Sequence, residues 1–124
     1  MASSTRVRIA ALTGVLAVAL GAFGAHGLKE LLEGNGTALL WEKAVFYHFI
    51  HTVMLFLLAG RTPFHPGPWY SFLVGIVIFS GSLYLLALTN LRWLGAITPI
   101  GGISFIVGWT WLALAPFPKS NPPQ

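Results

Sequence analysis

Four long apolar runs, none containing a charged side chain, decide what this chain can fold into. They extend from about Ile9 to Ala25, Ala44 to Gly60, Trp69 to Thr89 and Leu94 to Ala115. A helix crossing ~30 Å of hydrocarbon needs about 20 residues, with ~17 as the lower limit. The last two runs exceed this, and the first two reach it once their ends are extended. A charge at the centre of such a helix costs ~2.5–3.5 kcal/mol, and the buried helices of a soluble protein rarely avoid one four times in 124 residues. The expected fold is an all-α membrane protein, one domain over residues 1–124. Four transmembrane helices, at about 7–26, 43–60, 68–89 and 94–115, form an up-down-up-down bundle.

Composition supports this. Charged residues are 8% of the chain, against roughly 25% in a soluble domain, and the mean hydropathy is +0.76. Soluble enzymes and nucleic-acid binders are excluded on that ground, so the first partner is the lipid bilayer and no nucleic acid is expected. Seven Lys/Arg against three acidic residues give a pI near 10.0. They are scattered, which reads as topology signalling rather than a phosphate-binding surface. The absence of cysteine removes disulfides, thiolate metal sites and Cys nucleophiles together.

Punctuation separates the runs. Pro63, Pro66 and Pro68 interrupt the second link, and Asn90, Leu91, Arg92 and Trp93 form the third. Short links make sequential helices antiparallel neighbours. In the long first link, Leu28, Leu31 and Leu32 share a helical face before Gly34, Asn35 and Gly36 break it. This reads as a short interfacial helix after the first span, or as a continuation of that span beyond the membrane surface. The Pro-rich tail, 116–124, is expected to be flexible and extended. Trp41, Trp69, Trp93, Trp109 and Trp111 fall near span ends, where interfacial anchors sit. Arg6 and Arg8 before an apolar run ending in Ala22, Phe23 and Gly24 imitate a signal peptide; the expectation is that the run is retained. Lys and Arg number four on the side of the termini (Arg6, Arg8, Arg61, Lys119) and three on the other (Lys29, Lys43, Arg92). That favours cytoplasmic termini.

Small residues permit close helix approach in lipid, and Gly21, Gly24, Gly101 and Gly102 are expected packing positions. Pro99 deprives the Gly95 carbonyl of its helical partner, so a kink is expected there. The polar residues gather at one end of the expected bundle, near one leaflet: His26, Tyr47, His48, His51, Ser80, Ser82, Tyr84 and Thr98. Such a cluster can bind a small ligand or relay protons, can hold a metal or haem through its imidazoles, or can serve as interhelical glue. No cofactor is assigned. No catalytic signature is present: there is no nucleophile elbow, zinc-protease motif, phosphate loop or intramembrane Asp.

Several segments, taken in order, resemble a family of small four-helix membrane proteins of unknown function whose animal member is transmembrane protein 256. They are Gly21 through Gly27, Ala44 with His48 and His51, Phe79 through Tyr84, Thr98 through Gly102, and Gly108 with Trp109. The resemblance covers nearly the whole chain. It implies an integral protein of the bacterial inner membrane or an organelle, and supplies no activity. In that family the position of His48 is Gln in some members and that of His51 is usually His. The resemblance therefore implies His26 and His51 as the pair for any metal. The resulting expectation is a non-enzymatic membrane protein that assembles with itself, as a homo-oligomer, or with a larger membrane complex, and binds a partner or small ligand through the polar cluster. The alternatives are a small oligomeric transporter or channel, and third a haem- or metal-binding redox subunit.

Overall fold

The structure, a computed structural model, describes residues 1–116 and 124. Among these residues every regular element is a helix or helical turn, and there are no strands. In chain order the elements are α1 (Ser3–Ala25), α2 (Lys29–Asn35), α3 (Ala38–Ala59), α4 (Pro66–Gly75), a π-helical turn (Ile76–Ser80), α5 (Gly81–Thr89), a 3-10 turn (Arg92–Ala96) and α6 (Thr98–Leu114). The segment from α4 to α5 is one continuous span. Four spans therefore exist: Ser3–Ala25, Ala38–Ala59, Pro66–Thr89 and Arg92–Leu114, of 23, 22, 24 and 23 residues. At 1.5 Å per residue each is about 33–36 Å long, enough to cross the hydrocarbon. The expected flexible tail, and Lys119 within it, lies largely outside the described residues.

Small residues fix how the spans meet. Along α1, Gly24 lies under the Trp41 indole, Gly21 against Val45 and Gly14 against Thr52 of α3. The residue numbers rise on one helix as they fall on the other, so the pair is antiparallel. The third and fourth spans interlock by exchanging glycine for aromatic rings. Gly67 faces Trp111, Phe72 faces Gly108, Gly75 faces Phe105, and Gly101 faces the backbone of Phe79. This pair is antiparallel too. Each glycine lets a ring, or in the last case a backbone, come closer than any side chain would allow. Between these pairs, α3 packs along the third span from Leu55 beside Trp69 to Ala44 beside Ser80.

The links are built from helix-terminus chemistry. Gly36 ends α2 in the left-handed conformation at φ 67°, and Asn90 ends α5 the same way at φ 58°. Both residue types tolerate that region. The last carbonyls of α5 have no helical donor. The Thr37 hydroxyl donates to the Ala87 carbonyl at 2.8 Å, and the Asn35 amide donates to Ala87 and Leu88 at 3.0 and 3.3 Å. The link before α3 thus caps the third span.

Three features differ from the sequence reading. The second span begins at Ala38 rather than near residue 43, because Thr37 and Trp41 are anchored on neighbouring helices despite the adjacent charges of Glu42 and Lys43. Pro99 kinks no helix interior. It stands in the first turn of α6 after the 3-10 turn, where a missing N–H would have lacked a helical partner anyway. Trp41 and Trp69 are buried, at 3% and 0% exposure, and act as core residues rather than interfacial anchors.

Candidate functional site

Two apolar clusters occupy the two halves of the bundle. One joins Ala10, Leu55, Leu58, Trp69, Phe72, Ile76 and Phe105; the other joins Leu32, Trp41 and Ala87. Between them lie the buried polar residues His48, His51, Thr52 and Ser80. Because α3 starts at Ala38, His48 is its eleventh residue of 22. The histidines therefore sit at mid-bundle, rather than in the first turns of their helix.

His51 has both ring nitrogens occupied. Its Nδ1–H donates to the Tyr47 carbonyl at 2.7 Å, and its Nε2 accepts from the Trp109 indole N–H at 3.0 Å. The two bonds require one tautomer, a neutral ring with the proton on Nδ1. The Phe105 ring is stacked on the imidazole, 3.7 Å between centroids and 11° from parallel. One residue of α3 is thereby tied to α6.

His48 shares a 2.8 Å hydrogen bond between Nδ1 and the Tyr84 hydroxyl, which links α3 to α5. Its Nε2 is buried and makes no hydrogen bond among the described residues. Ser80 donates to the Ala44 carbonyl at 2.8 Å, and Thr52 turns back to the His48 carbonyl at 2.8 Å. Ser82 donates to the Phe79 carbonyl at 2.9 Å and meets the Thr98 hydroxyl at 2.7 Å, joining α5 to α6. Thr98 also reaches the Leu94 carbonyl at 3.4 Å; the Gly95 carbonyl is not its partner.

The structure therefore divides the expected cluster. His48 and Tyr84 are brought together, as are Ser82 and Thr98, while Ser80 and His51 each bind a different neighbour. Tyr47 is 37% exposed, on the outer side of α3, with its ring against Phe79. His26 is exposed at the end of α1 and stands apart from His51. The α1–α3 register places it opposite the start of α3, about 18 Å along the helix from His51 at 1.5 Å per residue. A metal on His51 would have to displace the Trp109 indole. Among the described residues, no group of three or more potential ligand side chains converges.

Sequence reasoning missed several interhelical ties. Trp109 to His51 is one. Others run from Trp41 Nε1 to the Leu20 carbonyl at 2.8 Å, from Trp69 Nε1 to Leu55 at 3.2 Å, and from Ser104 to Ser71 at 2.7 Å. A signal was available for the tryptophans. A buried indole N–H needs an acceptor, and in lipid a carbonyl on a neighbouring helix can supply it.

Comparison with known proteins adds a family. The profile described as a protein of unknown function, DUF423, matches residues 20–102. A UPF0382 membrane protein of Staphylococcus saprophyticus is 46% identical over 114 residues, covering 88% of this chain and 93% of the relative. The UPF0382 membrane protein YwdK of Bacillus subtilis is 41% identical over 114 residues, covering 86% and 91%. No solved structure matches.

Proposed function

The chain belongs to the DUF423 family of membrane proteins of unknown function, and we propose that it acts as a non-catalytic assembly protein of the bacterial inner membrane. The observation that carries this reading is the fate of the inner polar groups. Both nitrogens of His51 and the hydroxyls of Ser80, Ser82 and Thr98 are spent on bonds within the chain. Groups engaged in this way hold helices together and leave little for turnover. Apart from the His48 Nε2, what remains available lies outside the bundle. The first and last spans present broad apolar faces, with Leu12, Val15 and Leu16 on α1 and Ile100, Ile103 and Ile106 on α6 all more than half exposed. These faces suit association with further copies or with a larger membrane complex, and the outward edge of the polar cluster, at Tyr47, suits a small ligand. The Arg pair before the first span favours cytoplasmic termini.

Cross-linking in native membranes followed by native mass spectrometry in mild detergent tests the reading. The expected result is a homo-oligomer or a defined complex with a second membrane protein. A monomer that cross-links to nothing would overturn it. One observation favours a second reading, an oligomeric transporter: the buried, unbonded Nε2 of His48 at mid-bundle. Substrate flux in proteoliposomes that is abolished by His48→Gln would select that reading instead.

A further inference from the structure

The first turns of α3 divide two grooves on the surface, and adjacent residues of opposite charge divide between them. Glu42 borders a groove of about 580 Å³ against α1. Lys43 borders a groove of about 460 Å³ against the third and fourth spans. The second groove is walled mainly by hydrocarbon, from Leu40, Phe79, Leu83 and Leu86. Three of its lining residues carry polar side chains: Lys43, Tyr47 and Thr98. The Thr98 hydroxyl is occupied by Ser82. The Lys43 ammonium and the Tyr47 hydroxyl have no hydrogen-bond or ion-pair partner among the described residues.

Lys43 and Tyr47 stand one helical turn apart on one face of α3. Long side chains on a helix lean toward its N-terminus, so the phenol is directed toward the lysine end of the groove. Two unused donors, one of them cationic, thus stand along an apolar trough; Lys43 is the sixth residue of α3 and Tyr47 the tenth, so the cation is nearer the end of the span and the phenol nearer mid-bundle. No carboxylate lines this groove.

We propose that the Lys43–Tyr47 groove is a binding site for an acidic phospholipid. The headgroup phosphate accepts from the Lys43 ammonium, whose long stem extends toward the end of the span beside Leu40; the acyl ester carbonyl accepts from the deeper Tyr47 hydroxyl, and the acyl chain runs inward past Phe79. A net negative headgroup fits better than a zwitterionic one, whose own cation would be brought beside Lys43. The proposal gives a chemical class to the ligand in the functional reading above and rests on that reading for Tyr47 being its ligand-facing edge.

The full chain is reconstituted with equimolar phosphatidylglycerol and phosphatidylcholine of identical acyl chains, and retained lipid is counted by native mass spectrometry. The expected preference for phosphatidylglycerol is about five-fold, the size expected from one basic residue facing an anionic headgroup. Lys43→Gln abolishes the preference, Lys43→Arg keeps it, and Tyr47→Phe lowers the retention of both lipids while keeping the preference. Arg8→Gln, a charge change outside the groove, leaves it unchanged, and helicity by circular dichroism checks that each variant is folded. Equal retention of the two lipids by the wild type overturns the proposal, as does a preference that survives Lys43→Gln. A lipid-free dimer that Lys43→Gln dissociates would assign the groove to a second copy and overturn it as well. The cross-linking experiment reads partner assembly separately, so either claim can fail alone.

Discussion

Gly101 and Gly102 are adjacent glycines in the first turns of α6, and the structure assigns them opposite roles. A methyl group at Gly101 would fall on the backbone of Phe79, whose Cα lies 2.7 Å from the added carbon. Backbone inside a packed helix pair cannot swing aside, so the helices must separate. At Gly102 the nearest atom to such a methyl is Phe79 Cδ2, at an ordinary contact distance of 3.8 Å. Both changes to alanine gain about the same helix propensity, up to about 1 kcal/mol in favour of the folded helix. That gain cancels when the variants are compared with each other. The overpacking cost does not cancel, and at a tightly filled site it is about 1–3 kcal/mol. Gly101→Ala should therefore be less stable than Gly102→Ala by about 1–3 kcal/mol. Unfolding in mixed micelles at increasing dodecyl sulfate fraction, followed by circular dichroism, measures the difference directly. Equal stability, or a more stable Gly101→Ala, would refute the close approach of α6 to the π-helical turn.

Other contacts give further expectations. Trp109→Phe leaves the buried His51 Nε2 without a donor and should cost about 1–2 kcal/mol. A double-mutant cycle with His51→Phe should give a coupling of about 0.6–1.7 kcal/mol, the range for interhelical hydrogen bonds in membranes; zero coupling would argue against the bond. Thr37→Val removes one of the two donors to the Ala87 carbonyl near the end of α5, leaving the Asn35 amide, and should cost about 0.5–1 kcal/mol in the same unfolding assay. For topology, a reporter fused after Gln124 should read cytoplasmic and one inserted at Gly34 should read external; the reverse pattern would invert the orientation and leave the fold unchanged.

The four spans were legible because their evidence is coarse: length, apolarity and the exclusion of charge from the centre of each run. The start of the second span was not. Glu42 and Lys43 look like the boundary of a membrane segment, and only the tertiary bonds of Thr37 and Trp41 show that helix precedes them. That five-residue difference moves His48 and His51 from the end of a helix to the middle of the bundle. The glycines were legible as packing positions, but their aromatic counterparts were not. Pairing Gly75 with Phe105 or Gly108 with Phe72 requires the register between two helices, which a hydropathy pattern does not carry. Pro99 misled in the usual way for proline. Its missing N–H breaks a helix or begins one, and the choice depended on the 3-10 turn before it.

The central claim is that the polar residues inside this bundle are spent on holding it together, with His51 the clearest case. The ¹⁵N chemical shifts of the His51 imidazole, measured by solid-state NMR in bilayers at neutral pH, test it most directly. The account predicts a neutral ring with a protonated Nδ1, and an unprotonated Nε2 whose shift moves when Trp109 becomes phenylalanine. A proton on Nε2, a charged ring, or a shift indifferent to Trp109 would contradict it.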